Sequence, residues 1–236
     1  MSSPVTRLPK DRQTHLSAKE IATEALRQFD ESRTEPSIRS LAEALNVAPS
    51  AIYHHYPSRA AIVQAAVERV WWEATSSLLE LTPEPFEADP TEVLVNTGLA
   101  SRRAWLAHYR LAPYLAASPE VNDFTRDALG LMSGVFEKLG LEGEEAAAAF
   151  HIYAAFMIGS VLFTASRKAA NEQLAAETGE VRFQIEHTPA AARRSSEATR
   201  AAIDETMALA VDDPIADEEL FAEGLRRLVA SLARGE

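Results

Sequence analysis

The side chains best equipped for directional chemistry stand close together in one short stretch: Arg39, Ser50, Tyr53, His54, His55 and Arg59. A guanidinium binds a phosphate or the O6/N7 edge of guanine through two parallel hydrogen bonds, and a serine hydroxyl can bond almost any base. The adjacent histidines diverge by ~100° on a helix, so they do not form a shared metal site. No metal and no cofactor are expected. Enzymatic chemistry finds no foothold elsewhere. There is no Gly-rich phosphate loop, no HExxH, no GxSxG and no acidic calcium loop, and Gly130-Leu131-Met132-Ser133-Gly134 places its serine wrongly for a nucleophile elbow. With no cysteine in 236 residues, thiol nucleophiles, cysteine metal sites and disulfides are excluded. The chain is expected not to be an enzyme.

The elements that must position this stretch announce themselves by their ends. Ser17-Ala18-Lys19-Glu20 fits a capping box, and Leu16 with Ile21 supplies the hydrophobic staple. Ile21, Ala22, Ala25, Leu26 and Phe29 then recur at helical spacing as far as about Asp30. Ser37 can cap a second helix whose inner face is Ile38, Leu41, Ala42 and Leu45. It stops at Asn46, which tolerates left-handed geometry and lets the chain reverse in about three residues. Pro49 suits the first position of a third helix that runs to Pro57. Two short helices joined by so tight a turn make a helix-turn-helix.

The rest of the chain also reads as helix. Ser58 caps a helix over Arg59 to about Leu79. Asp89-Pro90-Thr91-Glu92 opens one that runs to about Ala112, and Ser118-Pro119 opens one that ends at Gly140. A long helix follows from Glu142 through Ala175. Residues 179–200 read as a long loop, and two helices close the chain, over 196–211 and 217–234. Residues 146–165 contain no Asp, Glu, Lys or Arg and meet the length of a membrane span. Their Ala, His, Gly, Ser and Thr content makes them only mildly hydrophobic. The centre of a helical bundle or a dimer seam accounts for them better, and no membrane association is expected. Phe221, Leu225, Leu228 and Leu232 form a stripe suited to pairing with a second copy or with the long helix.

Net charge is −12, which taken alone opposes a polyanionic partner. It is unevenly spread. Residues 1–60 carry eight basic against seven acidic side chains, residues 61–236 fifteen against twenty-eight. The first nineteen hold Arg7, Lys10, Arg12 and Lys19 against Asp11, a basic arm with no apolar run of the signal-peptide kind. A cytoplasmic location is expected.

The run Ser37 to Arg59, SIRSLAEALNVAPSAIYHHYPSR, resembles the DNA-binding signature of the tetracycline-repressor (TetR) family. Three positions depart from that pattern. Asn46 stands where Gly is usual, Ala48 where Ser or Thr commonly caps the recognition helix, and Arg59 where Lys is usual. The resemblance implies an all-α chain: an N-terminal helix-turn-helix DNA-binding domain over 1–60 plus a larger helical ligand-binding and dimerisation domain over 61–236. It implies groove-facing roles for Pro49, Ser50, Ala51, Tyr53, His54 and His55, a base-reading role for Arg39, and phosphate contacts from Tyr53 and Arg59. The implied partners are double-stranded palindromic DNA, an unknown small-molecule effector and a second copy of the chain. Trp105, His108, Tyr109, His151 and Phe156 are the candidate ligand contacts, bulky walls with polar tips, though the same spacing also serves an ordinary core. The implied function is a repressor released from its operator by ligand. The other reading is a helical ligand-binding or structural dimer that does not bind DNA.

Overall fold

A computed structural model describes residues 16–32, 35–115, 123–178, 196–197 and 214–234. The basic arm before Leu16, the Ser118-Pro119 start, the loop 179–200 apart from Ser196 and Glu197, and the expected helix to Val211 lie outside the described residues. Every regular element among the described residues is helical. The elements are α1 (Ala18–Glu31), α2 (Ile38–Ala44), α3 (Pro49–His55), α4 (Arg59–Leu81), α5 (Pro90–Ala107), a 3-10 turn (Tyr109–Leu111), α6 (Ala112–Leu115), α7 (Asp123–Lys138), α8 (Gly143–Thr178) and α9 (Pro214–Arg234). Two compact units divide within α4, Met1–Arg69 and Val70–Glu236.

In the first unit, α1 begins at the capping box read from sequence: Glu20 N–H donates to Ser17 Oγ at 3.2 Å, and the Ser17 N–H donates to the Glu20 carboxylate at 2.8 Å. The Ser17 hydroxyl also donates to that carboxylate at 2.8 Å, and this bond, with the one from the Ser17 N–H, holds Glu20 below the usual carboxylate range. Ile21, Ala22, Ala25, Leu26 and Phe29 are the buried face, which meets Leu41 and Ala42 of α2 and Ile52 of α3 in one core. Gln28 fastens α1 to α2, because Ser40 Oγ donates to its side-chain oxygen at 2.8 Å.

In the second unit, α5 and α8 run side by side in parallel, since their partners climb together. Tyr153 donates to the Leu94 carbonyl at 2.7 Å, Arg102 to Ser160 and Thr164 at 2.9 and 3.2 Å, and Tyr109 to Glu172. Helix α9 lies antiparallel to α5: Asp217 pairs with Arg102, and Leu225 meets Gly98, where an added Cβ would come within 2.4 Å of Leu225 Cδ1. Arg102 is 3% exposed and its guanidinium also lies 5.0 Å from the Phe221 ring centroid, so one buried cation joins α5, α8 and α9. Two members of the α9 stripe pack within the chain, while Leu228 and Leu232 are half-buried. Phe221 stacks on Phe156 at 5.6 Å, and Leu225 is fully buried.

One helix ends earlier than its periodicity predicts. Helix α5 stops at Ala107, with His108 at φ −110 and ψ 41, and the chain passes through the 3-10 turn into α6. Proline fits only the first turn of a helix, because its ring meets the carbonyl four residues back. Pro113 therefore requires a new start at Ala112, and the preceding residues become the connecting turn.

Candidate nucleic-acid interface and ligand cluster

Helix α2 begins with a reciprocal cap: Ser40 N–H donates to Ser37 Oγ and Ser37 N–H to Ser40 Oγ, both at 3.0 Å. The turn to α3 rests on Asn46 at φ 53, the one non-glycine with positive φ among the described residues. The Asn46 N–H donates to the Glu43 carbonyl at 3.1 Å and the Val47 N–H to the Ala42 carbonyl at 2.9 Å, which closes α2 and reverses the chain. Ala48 is the N-cap of α3 and offers no side-chain bond, while Pro49 occupies the first turn.

On α3, Ile52 is completely buried and sets the orientation of the rest. Pro49, Ser50, Tyr53 and His54 are exposed, Ala51 and His55 half-buried, and Arg39 is exposed on α2. Tyr53 is 53% exposed, a large aromatic that the fold does not use. The His54 and His55 rings stand edge to face at 5.9 Å and 84°, which agrees with their divergence around the helix. Arg59 has local partners. It pairs with Glu35, and its Nε donates to the Pro36 carbonyl at 3.1 Å, so the guanidinium is fastened to the segment before α2 while staying half-exposed.

Sequence reasoning missed Tyr56, whose hydroxyl donates to the Ala18 carbonyl at 3.0 Å and ties the end of α3 to the start of α1. Burial, aided by Glu68, raises its phenol above the ordinary value and keeps it a donor. The signal available was an aromatic just before Pro57. Its partner, 38 residues away in sequence, was not legible.

The five candidate ligand contacts do not converge. Trp105, His108 and Tyr109 lie together at the end of α5, where Trp71 packs edge to face on Trp105 at 5.5 Å, Glu73 meets His108 at 2.9 Å and Glu172 accepts from Tyr109 and Arg110. His151 is exposed, and Phe156 is engaged with Phe221. Phe156 stands sixteen residues before Glu172, about 24 Å along α8 at the ordinary helical rise. Trp71, Glu73 and Glu172 are the members of the cluster that sequence reasoning did not name.

A family model of the bacterial regulatory proteins of the tetR family matches residues 21–66, and one of the tetracyclin repressor-like C-terminal domain matches residues 82–234. The chain belongs to the TetR family. It is a helix-turn-helix DNA-binding transcriptional regulator, in a family whose members are generally non-enzymatic, bind operator DNA and small molecules, and act as dimers. No curated protein matches the sequence. Among solved structures it is similar to a possible TetR family transcriptional regulator from Streptomyces coelicolor A3(2), with 22% identity, TM-score 0.66, and coverage of 93% of this chain and 100% of that one. It is similar also to ActR from Streptomyces coelicolor, apo at 19% identity and TM-score 0.68 over 95% and 98% of the two chains. ActR in complex with actinorhodin gives 21% and 0.65 over 94% and 98%. At these identities the likeness is one of fold.

Proposed function

We propose that this TetR-family chain is a cytoplasmic repressor that holds a palindromic operator as a homodimer and lets go when a small molecule binds the unit Val70–Glu236. The observation that carries the DNA reading is the face of α3. Ile52 alone anchors the helix in the core, which leaves Pro49, Ser50, Tyr53 and His54, with Arg39 beside them on α2, free of packing duties. Arg39 reads a guanine, Ser50 bonds a base edge, Pro49 and Ala51 meet thymine methyls, and Tyr53 and Arg59 hold phosphates, with at least one of His54 and His55 on the DNA.

The dimer reading rests on α8. Ala148, Ile152, Ala155, Gly159, Phe163 and Ser166 are exposed along one side of it, a stripe without a charge, and a Cβ at Gly159 would meet nothing within 4 Å. Helix α8 is long and apolar enough to cross a membrane by length and composition, yet only 22% of its most apolar window is buried within the chain. A second copy covers such a face at close approach. The ligand reading is supported by the aromatic cluster at the end of α5 and by the complex of the similarly folded ActR with actinorhodin. Selection of bound sites from a random DNA pool tests the function. Palindromic sites with half-sites about one helical turn apart, or slightly more, are expected. A pool that stays random after repeated selection overturns the repressor reading.

A further inference from the structure

Trp105 is fully buried, and its Nε1–H is the one buried side-chain donor without an acceptor among the described residues. Buried indole N–H groups are nearly always partnered, because the bonds lost to water on burial must be replaced. The polar groups next to it are already engaged. His108 is held by Glu73, and Tyr109 and Arg110 by Glu172, while Arg110 and Lys168 also lie over the Tyr109 ring at 4.9 and 4.3 Å. The side chain packed on Trp105 is a second indole, Trp71, at 74° between planes. A water molecule settles in a protein interior where two or more polar groups receive it, and an indole wall supplies one donor and a π face. The cluster thus offers one directional donor beside the half-buried ring of Trp71, with its polar neighbours already engaged.

We propose that the effector bound here is a neutral, planar aromatic compound bearing a ring carbonyl, whose oxygen accepts from Trp105 Nε1–H while its rings lie against Trp71. The proposal rests on the ligand-released reading above and adds the chemical class and the residue that selects it. A carboxylate in place of the carbonyl would bring a buried charge to a site where the guanidinium of Arg110 is already paired with Glu172 and that of Arg102 with Asp217.

A matched pair of probes isolates the oxygen: 9-fluorenone and fluorene differ only by the ring carbonyl. Titrated into the full-length protein without DNA, fluorenone is expected to bind about tenfold more tightly than fluorene, the usual value of one buried hydrogen bond. In Trp105→Phe, which keeps an aromatic ring and removes the N–H, the two affinities should become equal. The wild-type chain gives an independent reading should that variant fail to fold. Of the three indole N–H signals in its 15N spectrum, fluorenone should move one strongly downfield, the mark of a new hydrogen bond, while fluorene should give ring-current shifts without that downfield move. A wild-type affinity ratio near one, a ratio that survives Trp105→Phe, or the absence of that downfield move with fluorenone would each overturn the proposal. Failure to select DNA from a random pool would sink the repressor reading and leave this ratio untouched, so the two failures are distinguishable.

Discussion

At the scale of single residues, the two arginines of the DNA-binding unit have different surroundings and should fail differently. Arg39 is exposed and stands clear of the core. Arg39→Ala should therefore cost ~1–3 kcal/mol at one base position per half-site and leave binding to random DNA unchanged. Equal losses on operator and random DNA would remove its base-reading role. Arg59→Ala should weaken binding to every sequence and lower the salt slope by about one per chain. Because its pair with Glu35 is half-exposed, the accompanying loss of stability should stay within ~1 kcal/mol, which a thermal melt without DNA measures. Glu218 gives a titration. Hydrogen bonds from Arg103, opposed by partial burial, hold its carboxyl below the usual range. The pair then contributes fully above the ordinary carboxylate value and is lost as pH falls through the lowered one. Glu218→Gln should flatten the acid limb of the stability profile and lower the plateau at neutral pH. An unchanged profile would mean that the pair contributes nothing.

At the scale of elements, the turn between α2 and α3 is where local chemistry sets the recognition helix. Asn46 takes a left-handed conformation that a β-branched residue resists, so Asn46→Val should destabilise the unit by ~1–2 kcal/mol and Asn46→Gly should not. Ala48 leaves the α3 N-terminus without a side-chain acceptor. Ala48→Ser adds one to a backbone already in the extended capping conformation, φ −72 and ψ 144, and should gain ~1 kcal/mol. Denaturant melts of the three variants check the series. Stabilisation by Asn46→Val would contradict the strain argument.

At the scale of the whole molecule, two predictions concern assembly and control. Ile152 and Phe163 are 45% and 63% exposed, so Ile152→Glu and Phe163→Glu should leave the monomer fold intact while placing charge in the seam. Light scattering should find the wild type dimeric at micromolar concentration and the double variant monomeric with unchanged helical circular dichroism. A wild-type monomer would end the dimer proposal. Control by ligand is a coupling free energy and must be reciprocal. A compound that releases the dimer from DNA must bind the DNA-bound dimer more weakly than the free one by the same factor, commonly equivalent to 1–3 kcal/mol. Calorimetry with and without operator measures both. Equal affinities would exclude that compound as an inducer however tightly it binds.

Read alone, the sequence determined whatever is decided within about four residues of chain. The Ser17–Glu20 box, the Ser37 cap, the left-handed Asn46 and the proline starts at Pro49 and Pro90 are local contacts between near neighbours, and their partners are written beside them. The exposed face of α3 was legible for the same reason, because burying Ile52 orients every neighbour around a helix of fixed pitch. Tertiary structure alone decided the pairings across long separations. Arg102 finds Asp217 115 residues on, Tyr109 finds Glu172 and Tyr56 finds Ala18, while Phe221 and Leu225 of α9 close on Phe156 and Gly98. The candidate ligand contacts divided accordingly. Aromatic residues on two helices share a composition signal, but whether they meet depends on how far along each helix they stand. Periodicity fixes the angle of a side chain around its helix and carries no information about which turns of two helices pack side by side.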